Sequence, residues 1–188
     1  MKIKSYFCSL LCLCILLSLS VAVSQEADTQ EPILVTSESI SAEGRLLTVT
    51  AANRSPNKPR GENQSPQLTF TPVEGAAGYA LVMFDTSANW LHFLVTDVTE
   101  TSLPQGAYTN TKQYIGPYPP KGTKDHCYRI EIFALKAAPD KISGKMNARN
   151  RYETIVKGLD TAGGEAGNIL VRGFAEGLYA YGDNTPAE

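Results

Sequence analysis

The sequence GPYPPKGTKDHCYRIEIFAL, residues 116–135, joins a proline-rich loop to an apolar segment. Residues 127–135 are rich in β-branched and aromatic side chains, which favours a strand over a buried helix. The prolines at 117, 119 and 120 each fix a backbone φ angle and remove an amide donor, so no regular strand pairing can run through them. We therefore expect a rigid loop over 116–122 that leads into a strand and forms a preorganised rim; a simple strand connector is the alternative.

Segments before this stretch also predict strands. Residues 79–84 and 92–98 are short and apolar, and three further segments share this character more weakly: 33–36, 46–50 and 67–70. The sequence therefore predicts a mostly β protein.

The apolar spacing becomes helical toward the end of the chain. We expect two short helices, at 147–155 and 168–179. The residues between them, 158–167, include four glycines and should form an exposed loop.

The N-terminus predicts an export signal over residues 1–24. Lys2 and Lys4 supply a positive start, an apolar run follows, and Ala22-Val23-Ser24 offers the small residues that a signal peptidase reads. Cleavage before Gln25 is favoured, with cleavage after Ala22 and an uncleaved membrane anchor as alternatives. We expect a periplasmic or secreted protein whose residues 25–188 form a single domain.

Three of the four cysteines lie inside the apolar run of the signal. Each follows a residue too large for a lipoprotein cleavage site, so we do not expect a lipoprotein: Phe7-Cys8, Leu11-Cys12 and Leu13-Cys14. Only Cys127 then remains in the mature chain, and a lone cysteine cannot close an intrachain disulfide. The exported domain must be stabilised by its hydrophobic core.

Charge argues against one class of partner. Removal of residues 1–24 deletes two lysines and no acid, which leaves 15 basic and 19 acidic side chains and a formal charge of −4. Nucleic acid is therefore not an expected partner.

Both histidines of the chain lie at predicted strand ends near a carboxylate and aromatic side chains. His92 follows Asp85 by seven residues, and His126 lies two residues before Tyr128. Imidazole and phenol groups beside a carboxylate can hold a phosphate-like anion. Two separate structural histidines remain the alternative.

Metal and nucleophile chemistry are less well supported. Asp85, His92, His126 and Cys127 are ligand types suited to zinc, but adjacent residues of a strand point to opposite faces, so His126 and Cys127 cannot both reach one ion. The same alternation weakens a Cys127–His126 nucleophile, and no Gly-x-Ser-x-Gly elbow occurs. We expect no metal, no cofactor and no catalytic residue, with Cys127 as a small buried hydrophobe.

Three motifs in order resemble those of the phosphatidylethanolamine-binding protein family, also called the Raf kinase inhibitor family. They are GENQSPQLTF at 61–70, Trp90-x-His92-Phe93, and Gly116-x-x-Pro119-Pro120-x-Gly122-x-x-x-His126-x-Tyr128. The first resembles the bacterial branch in particular. The resemblance covers about residues 61–136 and, more weakly, residues 175–179. Its specific part is the proline loop with the histidine that follows it.

The resemblance implies a fold and a site. The fold would be two antiparallel sheets in a Greek-key, β-sandwich-like arrangement with short C-terminal helices. The site would be a shallow pocket for phosphate or similar anions, lined by Asp85, Trp90, His92, Pro119, Pro120, His126 and Tyr128.

The chain departs from the family pattern at two places. The family's Asp-Pro-Asp-x-Pro appears as Asp85-Thr86-Ser87-Ala88-Asn89, which predicts a shorter and more open rim. The family's His-Arg-Tyr appears as His126-Cys127-Tyr128, so a basic residue is missing, although Arg129 follows.

The leading functional hypothesis is an exported binding protein that captures a small anionic or phosphorylated ligand without turnover. Contact with a membrane is expected only through a lipid head group. A protein-interaction role, as an inhibitor of a protease or another secreted factor, is the first alternative because family members regulate kinases and proteases. A small hydrolase is the second.

Overall fold

The computed structural model describes residues 30–54 and 57–186. The predicted signal at 1–24 lies outside these residues. The ten strands are β1 Val35–Thr36, β2 Leu68–Phe70, β3 Gly78–Asp85, β4 Trp90–Val98, β5 Ser102–Leu103, β6 His126–Leu135, β7 Ala148–Arg149, β8 Thr161–Ala162, β9 Glu165–Ala166 and β10 Ile169–Tyr179. One α-helix, α1, spans Tyr152–Leu159, and a 3-10 turn spans Thr48–Thr50.

Two antiparallel sheets form the body of the fold, as the family resemblance implied. Five strands are ordered β10-β6-β3-β4-β7, and three are ordered β1-β2-β5. The central strand β3 pairs with β4 and β6 on its two sides, so that Met83 lies opposite both Phe93 and Ile130. Strands β8 and β9 add a separate small hairpin.

Strand β3 is buried on both faces, which explains why it reads as a continuous apolar run. On one face, Leu81 and Met83 belong to the larger core cluster, together with Leu68 and Phe70 of the three-stranded sheet. On the outer face, Val82 and Phe84 belong to a second cluster with residues of α1. Because successive side chains of β3 point to opposite faces of the sheet, the strand contributes to both hydrophobic clusters.

Helix α1 covers the outer face of the five-stranded sheet. Ile155 and Leu159, four residues apart, are fully buried and lie in the second cluster. The helix predicted at 147–155 is therefore correct in type but wrong at both ends. Residues 148–149 form β7, and Arg151 is extended just before the helix.

The second predicted helix, at 168–179, is wrong. Residues 169–179 form β10, an eleven-residue strand paired along β6. The apolar residues Phe174 and Leu178 are four apart, and an even spacing also places side chains on one face of a strand. Pairing with β6 decides between the two structures.

Smaller differences occur in two loops. The predicted strand at 46–50 is an isolated bridge between Ile40 and Leu46 followed by the 3-10 turn. The expected loop at 158–167 contains the end of α1 and the β8–β9 hairpin. Within the described residues, no helix combines the length and the apolar character needed to cross a membrane.

Candidate functional site

All seven residues predicted for the site line one pocket of about 390 Å³. Four further residues complete its lining: Ser87, Ala88, Tyr118 and Arg149. The structure therefore brings the predicted set together.

The pocket lies where three strands meet at one edge of the sheet. Strand β3 ends at Asp85, and its antiparallel neighbours β4 and β6 begin there, so Asp85 lies opposite both Trp90 and Tyr128. His126 and Tyr128 are two residues apart on β6 and share a face. The strand register thus assembles residues that are distant in sequence.

Asp85 organises the floor of the pocket. Its side chain is almost fully buried, and Oδ1 accepts hydrogen bonds from the backbone amides of Ser87 at 2.9 Å and Ala88 at 3.2 Å. Its Oδ2 lies 2.6 Å from Nδ1 of His126. Nδ1–H of His126 donates to this carboxylate, which leaves Nε2 outside that bond. The shortened turn therefore still satisfies and orients the acid.

His92 is held in its neutral form. It is 2% exposed, and its Nδ1–H donates to the carbonyl of Ile115 at 2.7 Å. Burial lowers the pKa of His92 to about 4. Because Nδ1 carries the proton, Nε2 is a hydrogen-bond acceptor at neutral pH. His92 is thus not a cationic anchor.

Two hydroxyl groups of the lining keep a proton available for a ligand. Burial raises the pKa of Tyr128, so its phenol stays protonated. None of the hydrogen bonds within residues 30–54 and 57–186 engages that hydroxyl. Ser87 Oγ accepts a bond from the amide of Cys127 at 3.1 Å and donates none to the described residues.

The proline loop is anchored on two sides. Asn63, from the first motif, accepts a bond from the Gly116 amide at 3.0 Å, and the Ile115 amide donates to the His92 carbonyl at 2.8 Å. Gly116 is required because a Cβ there would lie 2.0 Å from the Thr50 carbonyl oxygen. The hydrogen bond between Asn63 and Gly116 connects the motif at 61–70 to the proline loop.

The rings of Trp90, His92, Tyr118 and Tyr128 form an aromatic wall of the pocket. Two of these rings bond to Asn147, a residue that the sequence analysis did not single out. Its Oδ1 accepts hydrogen bonds from Nε1 of Trp90 at 3.2 Å and from the hydroxyl of Tyr118. His92 packs edge-on against Tyr118 and Tyr128, with ring centroids 5.7 and 5.2 Å away. The wall is therefore a connected set of rings.

Arg149 is a second residue that the sequence did not single out. It lies on β7 opposite Trp90 and lines the pocket with an exposed side chain. The sequence offered no motif for it, because it enters the site only through pairing of a two-residue strand. Tyr118 could have been noticed, since it lies inside the proline motif.

Cys127 and Arg129 lie on the opposite face of β6 from the pocket. Cys127 is partly exposed rather than buried as predicted, because it lies at the start of the strand. Burial still raises the pKa of its thiol. Arg129 forms an ion pair with Glu176 at 2.8 Å and does not contact Asp85.

In the part of the chain that the structure describes, no group of three His, Cys, Asp or Glu side chains could hold a metal ion.

Comparison with known sequences identifies relatives. A family model described as phosphatidylethanolamine-binding protein matches residues 36–164. The Mycobacterium tuberculosis protein named "Putative lipoprotein LppC" is 33% identical over 94 residues, which cover 42% of this chain and 47% of that protein. UPF0098 protein YbcL of Escherichia coli K12 is 31% identical over 100 residues, which cover 40% of this chain and 55% of YbcL. The chain spans about half the length of the curated relatives it matches.

Solved structures share the fold. The crystal structure of E. coli YbcL, described as a new member of the mammalian PEBP family, matches with a TM-score of 0.60 and 24% identity, covering 79% of this chain and 98% of that chain. The homologue CT736 of Chlamydia trachomatis matches with a TM-score of 0.56 and 19% identity, covering 80% and 99%.

Proposed function

Because the chain belongs to the phosphatidylethanolamine-binding protein family, we propose that it is an exported binding protein whose pocket captures a small phosphate-like anion without turnover. The observation that carries the proposal is the pair of hydroxyl donors, Tyr128 and Ser87, that line the pocket beside an oriented imidazole. A hydrogen bond that is donated to an anion is roughly twice as strong as a hydrogen bond between two neutral groups. The rigid loop lowers the ordering cost of binding.

The roles of the residues follow from their contacts. Tyr128 and Ser87 donate to the anion, and His126, oriented by Asp85, donates through Nε2 when it is protonated. His92 accepts a hydrogen bond from a protonated or hydroxyl-bearing ligand. Trp90, Pro119 and Pro120 line the pocket.

Covalent catalysis at a cysteine would require an activated thiol, and Cys127 is poorly placed for that role. Its side chain lies on the face of β6 opposite the pocket, and burial raises the pKa of the thiol. The proposal of binding without turnover therefore includes no role for Cys127.

Export is part of the proposal. It is supported by the positive start and apolar run of residues 1–24 and by the name of the mycobacterial relative, which is that of a lipoprotein. A periplasmic or secreted location follows.

Calorimetric titration with inorganic phosphate tests the binding function. We expect Tyr128→Phe, which removes only the donor, to weaken binding roughly 10- to 100-fold, the cost of one hydrogen bond to a charged group. Tyr108→Phe is the matched control, because Tyr108 packs against Phe93 and is not part of the pocket lining. Equal phosphate affinity in the parent and in Tyr128→Phe would contradict the assignment.

A further inference from the structure

The mouth of the pocket carries unpaired positive charge. Arg149 lines the pocket with an exposed side chain, and no described residue places a carboxylate within 4 Å of its guanidinium group. A second guanidinium lies near this site but outside the pocket lining, since Cζ of Arg54 is 4.9 Å from the centroid of the Tyr118 ring. Arg54 likewise has no ion pair among the described residues.

The backbone that carries Arg149 is fixed to the pocket. The amide of Asn147 donates to the Leu91 carbonyl at 2.9 Å, and the amide of Asn150 donates to the Asn89 carbonyl at 2.9 Å. These bonds tie both ends of β7 to the segment that carries Trp90. The backbone that carries Arg149 is therefore held next to the pocket.

Negative charge that could neutralise the rim is already engaged. Among the described residues, Asp85 is the only carboxylate that lines the pocket, and its two oxygens are bonded to His126 and to two backbone amides. The chain as a whole has more acidic than basic residues. A positive mouth is thus a local property of this site.

We infer that the pocket selects ligands with two anionic groups, a phosphate held by the inner donors and a carboxylate or similar anion facing Arg149. This inference rests on the proposed anion-binding function and names its ligand class as phosphorylated carboxylic acids. A phosphoethanolamine head group fits less well, because its ammonium would face the guanidinium group of Arg149.

Three phosphate monoesters of similar length test the inference by calorimetry at about pH 7, where all are charged as required. They are phosphoglycolate with a carboxylate tail, ethyl phosphate with a neutral tail and phosphoethanolamine with an ammonium tail. We expect phosphoglycolate to bind about fivefold more tightly than ethyl phosphate, the size of an exposed ion pair, and phosphoethanolamine to bind most weakly.

Substitutions of Arg149 test whether this residue causes the preference for phosphoglycolate. Arg149→Gln should lose the preference for phosphoglycolate, and Arg149→Glu should reverse it toward phosphoethanolamine. Arg129→Gln, on the opposite face of β6, is the matched control and should keep the parent order. A parent that binds phosphoethanolamine as tightly as phosphoglycolate, or an order unchanged by Arg149→Glu, would overturn the inference alone. Absence of binding for inorganic phosphate and all three monoesters would overturn the anion-binding function as well.

Discussion

His92 and His126 line the same pocket, but their surroundings give them different chemistry. The carbonyl of Ile115 and burial keep His92 neutral, with its proton on Nδ1. The carboxylate of Asp85 instead faces Nδ1 of His126 and leaves Nε2 for a ligand. Two histidines that look equivalent in sequence thus have an acceptor role and a conditional donor role.

Neutral burial of His92 predicts a dependence of stability on pH. Its pKa is about 4 in the folded protein, against an ordinary value of 6.5 that applies when the chain unfolds. The unfolded state binds the proton first as pH falls. The contribution of neutral His92 to the free energy of unfolding is therefore fully present above about pH 6.5. It declines as the pH falls toward 4, by up to about 3 kcal/mol.

Urea unfolding at about pH 7 and about pH 4.5 measures this contribution. His92→Asn can still donate to the Ile115 carbonyl but does not titrate. We expect its loss of unfolding free energy between the two pH values to be about 2 to 3 kcal/mol smaller than that of the parent. Comparison across pH cancels any constant cost of the substitution. Equal losses in the two proteins would show that His92 is not held neutral.

At the residue scale, the seven residues that the family resemblance implied line one pocket, whereas the contacts that support them were not predicted from the sequence. Asp85 heads a segment that has lost the family pattern, yet the amides of Ser87 and Ala88 satisfy it as backbone groups, which any residue supplies. Asn147 bonds to Trp90 across 57 residues of sequence. Such contacts join segments that are distant in sequence, so no local sequence pattern predicts them.

At the scale of elements, β10 shows where periodicity fails. Its apolar residues have helical spacing, but Gly173 and Gly177 lie where other segments approach closely. A Cβ at Gly173 would lie 1.8 Å from the Ile33 carbonyl oxygen, and one at Gly177 would lie 2.8 Å from Cγ of Leu46. These glycines let the N-terminal segments pack across the strand. The sequence analysis considered apolar spacing and not glycine spacing.

Gly173→Ala tests this packing. The new Cβ meets backbone rather than a flexible side chain, so we expect the free energy of unfolding to fall by more than about 2 kcal/mol. Gly78→Ala is the matched control, because the nearest atom to its Cβ would be 3.4 Å away and its effect should stay within about 1 kcal/mol. Urea denaturation measures both. A neutral Gly173→Ala would mean that the N-terminal segment does not lie against β10.

At the scale of the whole molecule, the pocket is a product of the complete fold. Its lining comes from the ends of β3, β4 and β6, from the proline loop and from β7. Sequence patterns predicted β3, β4 and β6 because each of these strands is apolar and rich in β-branched or aromatic residues. They could not predict β7, whose two residues carry no periodicity and are placed only by pairing with β4. The same short strand brings Arg149 to the mouth.

The central claim is that this pocket binds a phosphate-like anion, and one spectrum tests it directly. The chain has two histidines and both line the pocket, so an NMR spectrum of the imidazole nitrogens of the untagged protein reports on the site alone. We predict that inorganic phosphate shifts the signals of both His92 and His126 in a saturable manner. Unchanged imidazole signals at millimolar phosphate would contradict the account.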